Sequence, residues 1–393
     1  MAVDSILPDA AVRDRAIADA IRDSGADGTS ADAGAIDTAA ADRGHDAAIT
    51  DAVVAEAAAA DATCQRTPPW WDQAYRYRRR LTISEQASVD LSDYSVCATV
   101  AIVSLGNQVL VDFSDVRIVS HASTPAVELH RRVLAEDDDL KVWFKLTDLL
   151  PANGSATHYY LYFGNPAAGS APAHWADSMG MEQHSQVYLA ADDFEEHGVG
   201  ECPDGWSGCG TVFSVSVSAG QHLLRSSCGT SAGAYLLAGS NQWDDISIRA
   251  RVNAANPARG FPGFLTRVVD ENNLVWAGYD CAVSGYNLPE HNLSIWPRIS
   301  HAYSLLDWLD LPISASAWRD VEVTWTGDQV QAAVDGVVLG PLTVASGVAT
   351  HGQVGLFGGY PDCDEILYDD VVVRRFVSPE PTVTIGEEEE RCR

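Results

Sequence analysis

From about position 70 onward, apolar and polar residues alternate with a period of two. Ile246, Ile248, Ala250 and Val252 are separated by Ser247, Arg249 and Arg251, and Val321, Val323 and Trp325 by Glu322 and Thr324. A strand sends successive side chains to opposite faces, so each run predicts a strand with one buried face. Gly327-Asp328 turns the chain into Val330, Ala332 and Val334, and Asp335-Gly336 turns it into Val337-Val338-Leu339. An Asp-Gly between alternating runs is a strong hairpin signal. The same period runs through Ser95–Val100, through Val116 and Ile118 around Arg117, and through Val142–Lys145 and Tyr160–Phe163. Gly106-Asn107, Asn153-Gly154 and Gly164-Asn165-Pro166 supply turns between these runs. The pattern predicts an all-β chain: two consecutive β-sandwich, jelly-roll-like domains with little helix.

Before position 70 the pattern is missing. Every aromatic residue lies after position 69, the first being Trp70, and Ala and Asp make up more than half of Asp9–Ala62. A chain without large apolar groups cannot offset its ordering entropy by burial. Residues 1–66 are therefore expected to be a disordered, low-complexity Ala/Asp-rich spacer, kept extended by mutual repulsion. The expected order is then a β-sandwich over 68–168, a linker over 169–188, a jelly roll over 189–377 and an acidic C-terminal tail over 378–393.

Charge narrows the partners. The net charge is −30, and Lys141 and Lys145 are the only lysines. Such a surface repels phosphate backbones and anionic lipid, which argues against nucleic acid. No apolar run approaches the ~18 residues of a transmembrane helix. Eight cysteines without a C-x-x-C pair read as disulfides rather than a zinc ribbon. Cys202 with Cys209, and Cys281 with Cys363, are the expected local pairs, and an oxidising, extracellular or cell-envelope setting follows. Met1–Asp14 has no basic region and no apolar core of a signal peptide. The expectation is that the true start lies upstream, the alternative being a cytosolic protein with reduced thiols. Oligomeric state is not legible.

Two resemblances enter on quoted blocks. Trp70-Trp71-Asp72 with Tyr75–Arg78 and Leu81-Thr82-Ile83 forms the first block. Asp115–Ile118, Val142–Lys145 and Tyr159–Ala168 follow in order. Together they resemble a bacterial extracytoplasmic module catalogued as domain of unknown function 2341, which implies a surface β-module and no reaction. Over 189–377, Ala191–Phe194, Trp318–Val323 running to Val334-Asp335-Gly336, Gly352–Leu356 and Tyr368–Val373 resemble the concanavalin A-like, laminin-G-like superfamily. That resemblance implies a jelly roll and, commonly, carbohydrate or surface-protein recognition.

Candidate chemistry comes last. Sandwich glycosidases of that superfamily place paired carboxylates on one strand face as Glu-x-Asp-x-(x)-Glu. No such segment occurs, nor H-E-x-x-H. The leading reading is therefore non-catalytic, with catalysis kept as the alternative. Aromatic faces stack on sugar C–H surfaces, so Trp276, Tyr279, Trp296 and Trp308 are the expected ligand-binding residues. The alternative is that such rings fill the core, as expected for Trp318 and Trp325. Asp192-Asp193 begins the second module and Asp369-Asp370 lies near its end. If first and last strands are neighbours, Asp193 and Asp370 would hold a structural calcium ion, as many modules of this resemblance do. Otherwise they would meet Arg374, Arg375 or backbone N–H groups. The expected function is non-catalytic recognition of polysaccharide or another envelope component. The alternatives are a polysaccharide-cleaving enzyme and a structural envelope spacer.

Overall fold

The computed structural model describes residues 66–169, 186–227, 234–254, 261–279, 288, 291–311, 317–358 and 365–392. The Ala/Asp-rich spacer, and most of the expected linker, lie outside the described residues. What is described is nearly all β, with 23 strands and a single 3-10 segment at Ile102–Gln108.

The first sandwich pairs a five-stranded sheet with a three-stranded one. The larger sheet runs Thr382–Glu390, Tyr77–Ser84, Ser155–Phe163, Arg117–Ser120, Val127–Leu129, and the smaller runs Ser95–Ala101, Asp139–Lys145, Arg131–Glu136. Between them lie Leu81, Ile83, Val96, Ile118, Val142, Phe144 and Leu161, all buried. Buried Asp115 holds two of the quoted blocks together. Its Oδ1 accepts the Leu110 N–H at 2.9 Å, and its Oδ2 accepts the Gly164 N–H at 2.8 Å and the Asn165 N–H at 3.3 Å.

The expected acidic tail is instead a strand, which corrects the sequence reading. Thr382–Glu390 pairs antiparallel with Tyr77–Ser84. The physical reason is charge complementarity laid on a period of two. Val383 and Ile385 pack against the first core. Arg79, Arg78 and Arg76 pair with Glu388, Glu389 and Glu390 at 3.4, 2.8 and 2.7 Å. The first sandwich is therefore discontinuous in sequence, and the second is inserted into it.

The second sandwich has an eight-stranded and a seven-stranded sheet. The eight-stranded sheet is built on Ile366–Arg375, which pairs with Ile246–Ala254 on one side and with Gln221–Ser226 and Ala190–Asp192 on the other. The seven-stranded sheet runs Ala234–Ala238, Gln353–Gly358, Gly263–Asp270, Asn273–Tyr279, Asn292–Ile299, with Ala302–Tyr303 and Asp307–Asp310 both on the last of these. The inner faces meet around Trp325, whose Nε1 donates to Thr266 Oγ1 at 2.9 Å. The Arg267 guanidinium caps that ring at 3.8 Å, a cation–π contact in a buried setting.

The two sandwiches are packed together. Val187, Tyr188 and Ala191 fill the seam against Trp143 and Val372. Ser95 Oγ donates to the Val187 carbonyl at 2.6 Å, and Lys145 Nζ to the Tyr188 carbonyl at 3.2 Å. Arg374 lies 5.1 Å over the Trp143 ring and pairs with Glu380 and, at 3.4 Å, with Glu322.

Candidate functional site

The outer face of the seven-stranded sheet carries an aromatic layer. Strand alternation explains it. Phe264, Val275, Ala277, Leu293, Ile295 and Leu356 point inward to the main core, while Leu265, Leu274, Trp276, Trp296 and Phe357 form a separate cluster on the other side. Antiparallel register sets Trp276 directly opposite Trp296. Phe261 meets Trp276 edge-on at 6.2 Å and Phe357 at 5.9 Å, and Tyr235 lies 5.8 Å from Phe357. Trp296 Nε1 donates to Ser294 Oγ at 2.9 Å, whereas the buried Trp276 Nε1 has no hydrogen-bond partner.

Three of the four expected aromatic residues share this face, and one does not. Trp308 lies opposite Ser294 and so points the same way as Trp296, since cross-strand partners share a face. Tyr279 lies opposite Leu293 and faces the main core. Its neighbour Trp276 is an odd number of residues away, so the two rings fall on opposite faces. Availability divides the remainder: Trp276 and Trp296 are 4% and 3% exposed, Trp308 37%.

Sequence reasoning missed the polar members of the rim. Arg298 Nη1 donates to Tyr235 Oη at 3.0 Å and to the Glu271 carbonyl at 2.6 Å, and its guanidinium lies 5.0 Å over the Tyr303 ring. The Tyr303 and Tyr235 hydroxyls are 3.2 Å apart. Burial pushes the Tyr303 phenol above its usual range, and the Tyr235 contact adds to the rise. The signal was present: Arg298 is two residues from Trp296 and thus on the same face.

At the seam, the expected neighbouring of first and last strands is observed, with Asp192 opposite Val371. A β-bulge falls at Asp370–Val371, opposite Ala250, and Asp370 takes φ 53°. Asp370 Oδ1 does not meet Arg374 or Arg375. Arg132 of the first sandwich reaches it at 2.9 Å. Arg251 lies 3.8 Å from Asp369 and 4.0 Å from Asp370. Burial pushes the Asp193 carboxyl up to about 6, with the Asp192 and Asp370 charges adding to the rise. Burial and the Asp370 charge push Asp369 up to about 8. Asp192 is committed elsewhere: its carboxylate accepts the Phe194 N–H and the Trp206 Nε1–H, each at 2.8 Å, beside His197. Among the described residues, no group of three or more His, Cys, Asp or Glu side chains could hold a metal ion. Asp193 and Asp370 converge as charges.

Cys202 and Cys209 form a disulfide, and Cys392 is also disulfide-bonded. Cys281 and Cys363 lie outside the described residues. No helix among the described residues is long and apolar enough to cross a membrane.

No protein-family model matches the chain, and no curated protein matches it. Solved structures are similar in shape to part of it. A carbohydrate binding module from Bacillus subtilis shares 15% identity, covering 43% of this chain and 95% of its own, with a TM-score of 0.33. A protein of unknown function with a galectin-like fold, also from Bacillus subtilis, shares 11% identity over 48% of this chain and 96% of its own, with a TM-score of 0.36. A GH16 protein of Bacteroides ovatus, in complex with a product, shares 11% identity over 47% of this chain and 99% of its own, with a TM-score of 0.34. At these identities and scores the likenesses carry no functional argument for this chain.

Proposed function

We propose that this protein is a non-catalytic, extracellular or envelope-located recognition protein that binds polysaccharide on the outer face of its seven-stranded sheet. The observation that supports this most is the aromatic layer with an open rim. Trp308 and Tyr303 are 37% and 39% exposed beside a floor of buried Trp276 and Trp296. Arg298 stands among them with a donor-rich head. Flat rings cover sugar C–H faces, and a guanidinium fixes hydroxyls. The disulfide Cys202–Cys209 favours an oxidising compartment.

The competing reading is a polysaccharide-cleaving enzyme. Glycoside hydrolysis uses two carboxyl groups, ~5–9.5 Å apart. Among the described strand residues of this face, no two carboxylates occupy cross-strand or i, i+2 positions; Asp310, opposite Asn292, stands without a carboxylate partner there. A purely structural envelope spacer is the third reading. A glycan array probed with the full chain decides among the three. Retention that Trp308→Ala weakens supports recognition. Shortened products support the enzyme. No retention on any glycan removes the proposal.

A structural calcium ion near Asp193 and Asp370 is part of the same proposal. Carboxyl groups raised by burial and by each other's charge are what a divalent cation would relieve.

A further inference from the structure

Between the two sandwiches lies a cleft of about 300 Å³. Val89, Asp90 and Ser92 of the first sandwich line it, facing Asp244, Asp245 and Thr326 of the second, with Arg375 and Phe376 at the end of strand Ile366–Arg375. Ligand sites favour such junctions, and this volume sits at the small end of the usual range of about 300–1,000 Å³.

Its walls are held before any ligand arrives. Leu91 and Leu150 exchange backbone hydrogen bonds at 2.8 and 2.9 Å. Asp90 Oδ1 accepts the Ala152 N–H at 2.9 Å, and Asp245 Oδ1 accepts the Gly327 N–H at 2.7 Å. Phe376 N–H donates to the Asp245 carbonyl at 3.0 Å. Tyr94 Oη accepts the Val377 N–H at 3.3 Å and donates to Glu380 at 3.1 Å.

What remains uncommitted is equally specific. Neither Asp244 nor Arg375 forms an ion pair or hydrogen bond through its side chain among the described residues. Thr326 Oγ1 is enclosed and has no partner. Enclosed polar atoms without partners are uncommon and cost free energy unless something meets them. Three carboxylates line the cleft against the single guanidinium of Arg375, while the buried Arg267 guanidinium feels Asp244 and Asp245 from behind. The lining is thus net acidic, which disfavours anionic ligands. Acceptors on Asp244 and Asp245 and donors on Arg375 would meet the alternating hydroxyls of a sugar. Val89 and Phe376 would cover its C–H face.

We propose that the cleft is a second saccharide site, taking one uncharged sugar unit, built from different residues than the sheet face and independent of it. Titration of the 15N-labelled full chain tests this with neutral gluco-, manno- and galacto-oligosaccharides, plus oligogalacturonate as the anionic arm. One neutral series should perturb the amides of 90–92, 244–245 and 376–378 saturably. Asp244→Ala with Arg375→Ala should weaken that response about tenfold or more, and Trp308→Ala should leave it unchanged. The site is overturned if no neutral series perturbs these amides, if oligogalacturonate does so instead, or if the double variant responds like the parent. A response confined to the sheet face, and lost with Trp308→Ala, overturns the cleft site while leaving the sheet-face reading intact.

Discussion

Arg132 and Asp370, 238 residues apart in sequence, meet at 2.9 Å across the seam between the two sandwiches. The contact joins the strand Arg131–Glu136 of one sandwich to the bulge of Ile366–Arg375 in the other. It also explains why carboxylates gathered at Asp193, Asp369 and Asp370 are tolerated there, since Arg132 and Arg251 supply the nearest positive charge.

The carboxyls at that seam set a pH dependence. Asp193 and Asp369 have folded-state pKa values raised to about 6 and about 8, above the unfolded value of about 3.9. The folded state therefore holds protons that the unfolded chain has released, so folding stability falls as pH rises. The loss runs from about pH 4 to 6 through Asp193 and onward to about 8 through Asp369. His197 is raised by its contact with Asp192, and its contribution is likewise lost as pH rises. In chelator, the thermal midpoint should fall between pH 5 and pH 8, and Asp369→Asn should flatten the upper part of that fall. A parent profile that is level over this range would refute the assignment.

Calcium should act on the same groups. With millimolar calcium at pH 8 the midpoint should rise, because a ligand bound only to the folded state stabilises it by mass action. Asp370→Ala removes a proposed ligand and should abolish the rise. An identical midpoint with calcium and with chelator removes the ion from the proposal and leaves Arg132 as the counter-charge of Asp370.

The C-terminal strand is a structural part of the first sandwich. The Arg78 guanidinium is fully buried, lies 4.6 Å over Trp70 and 4.7 Å over Tyr160, and pairs with Glu389 at 2.8 Å. Removing one partner of a buried pair costs about 3–5 kcal/mol. Glu389 is partly exposed and Arg78 keeps its bond to the Tyr162 hydroxyl, so Glu389→Ala should cost about 2 kcal/mol by chemical denaturation. Deleting 378–393 should cost more, since Val383 and Ile385 leave the core as well. Unchanged stability after that deletion would show that the strand is dispensable.

Much of this architecture was legible from period-two alternation. The hairpin at Asp335-Gly336 and the strand around Ile246–Val252 follow from local pattern, because a half-buried strand writes its pattern directly into sequence. The C-terminal strand did not follow. Four consecutive glutamates read as a solvated tail, and their arginine partners lie some 300 residues earlier. Tyr279 was misplaced for a smaller reason. Face is set by parity, and three residues separate Tyr279 from Trp276. Arg132 could not be paired with Asp370 from sequence, because the seam is a tertiary contact between modules that each look complete.

Paired tryptophan substitutions separate binding from packing on the sheet face. Trp296 is buried opposite Trp276 and its Nε1 is bonded to Ser294. Trp296→Ala should therefore cost about 3–5 kcal/mol of stability, the usual penalty for emptying a buried aromatic site. Trp308 is largely free of the core and sits on a two-strand edge with Ser294. Trp308→Ala should leave the thermal midpoint within about 2 °C, yet weaken polysaccharide retention about tenfold. Affinity electrophoresis on the polysaccharide selected by the array, alongside a thermal melt of each variant, reads both quantities. If Trp308→Ala lowers stability as much as Trp296→Ala, the rim is part of the core and recognition lies elsewhere. If it changes neither stability nor retention, the exposed ring has no part in binding, and the sheet-face proposal fails.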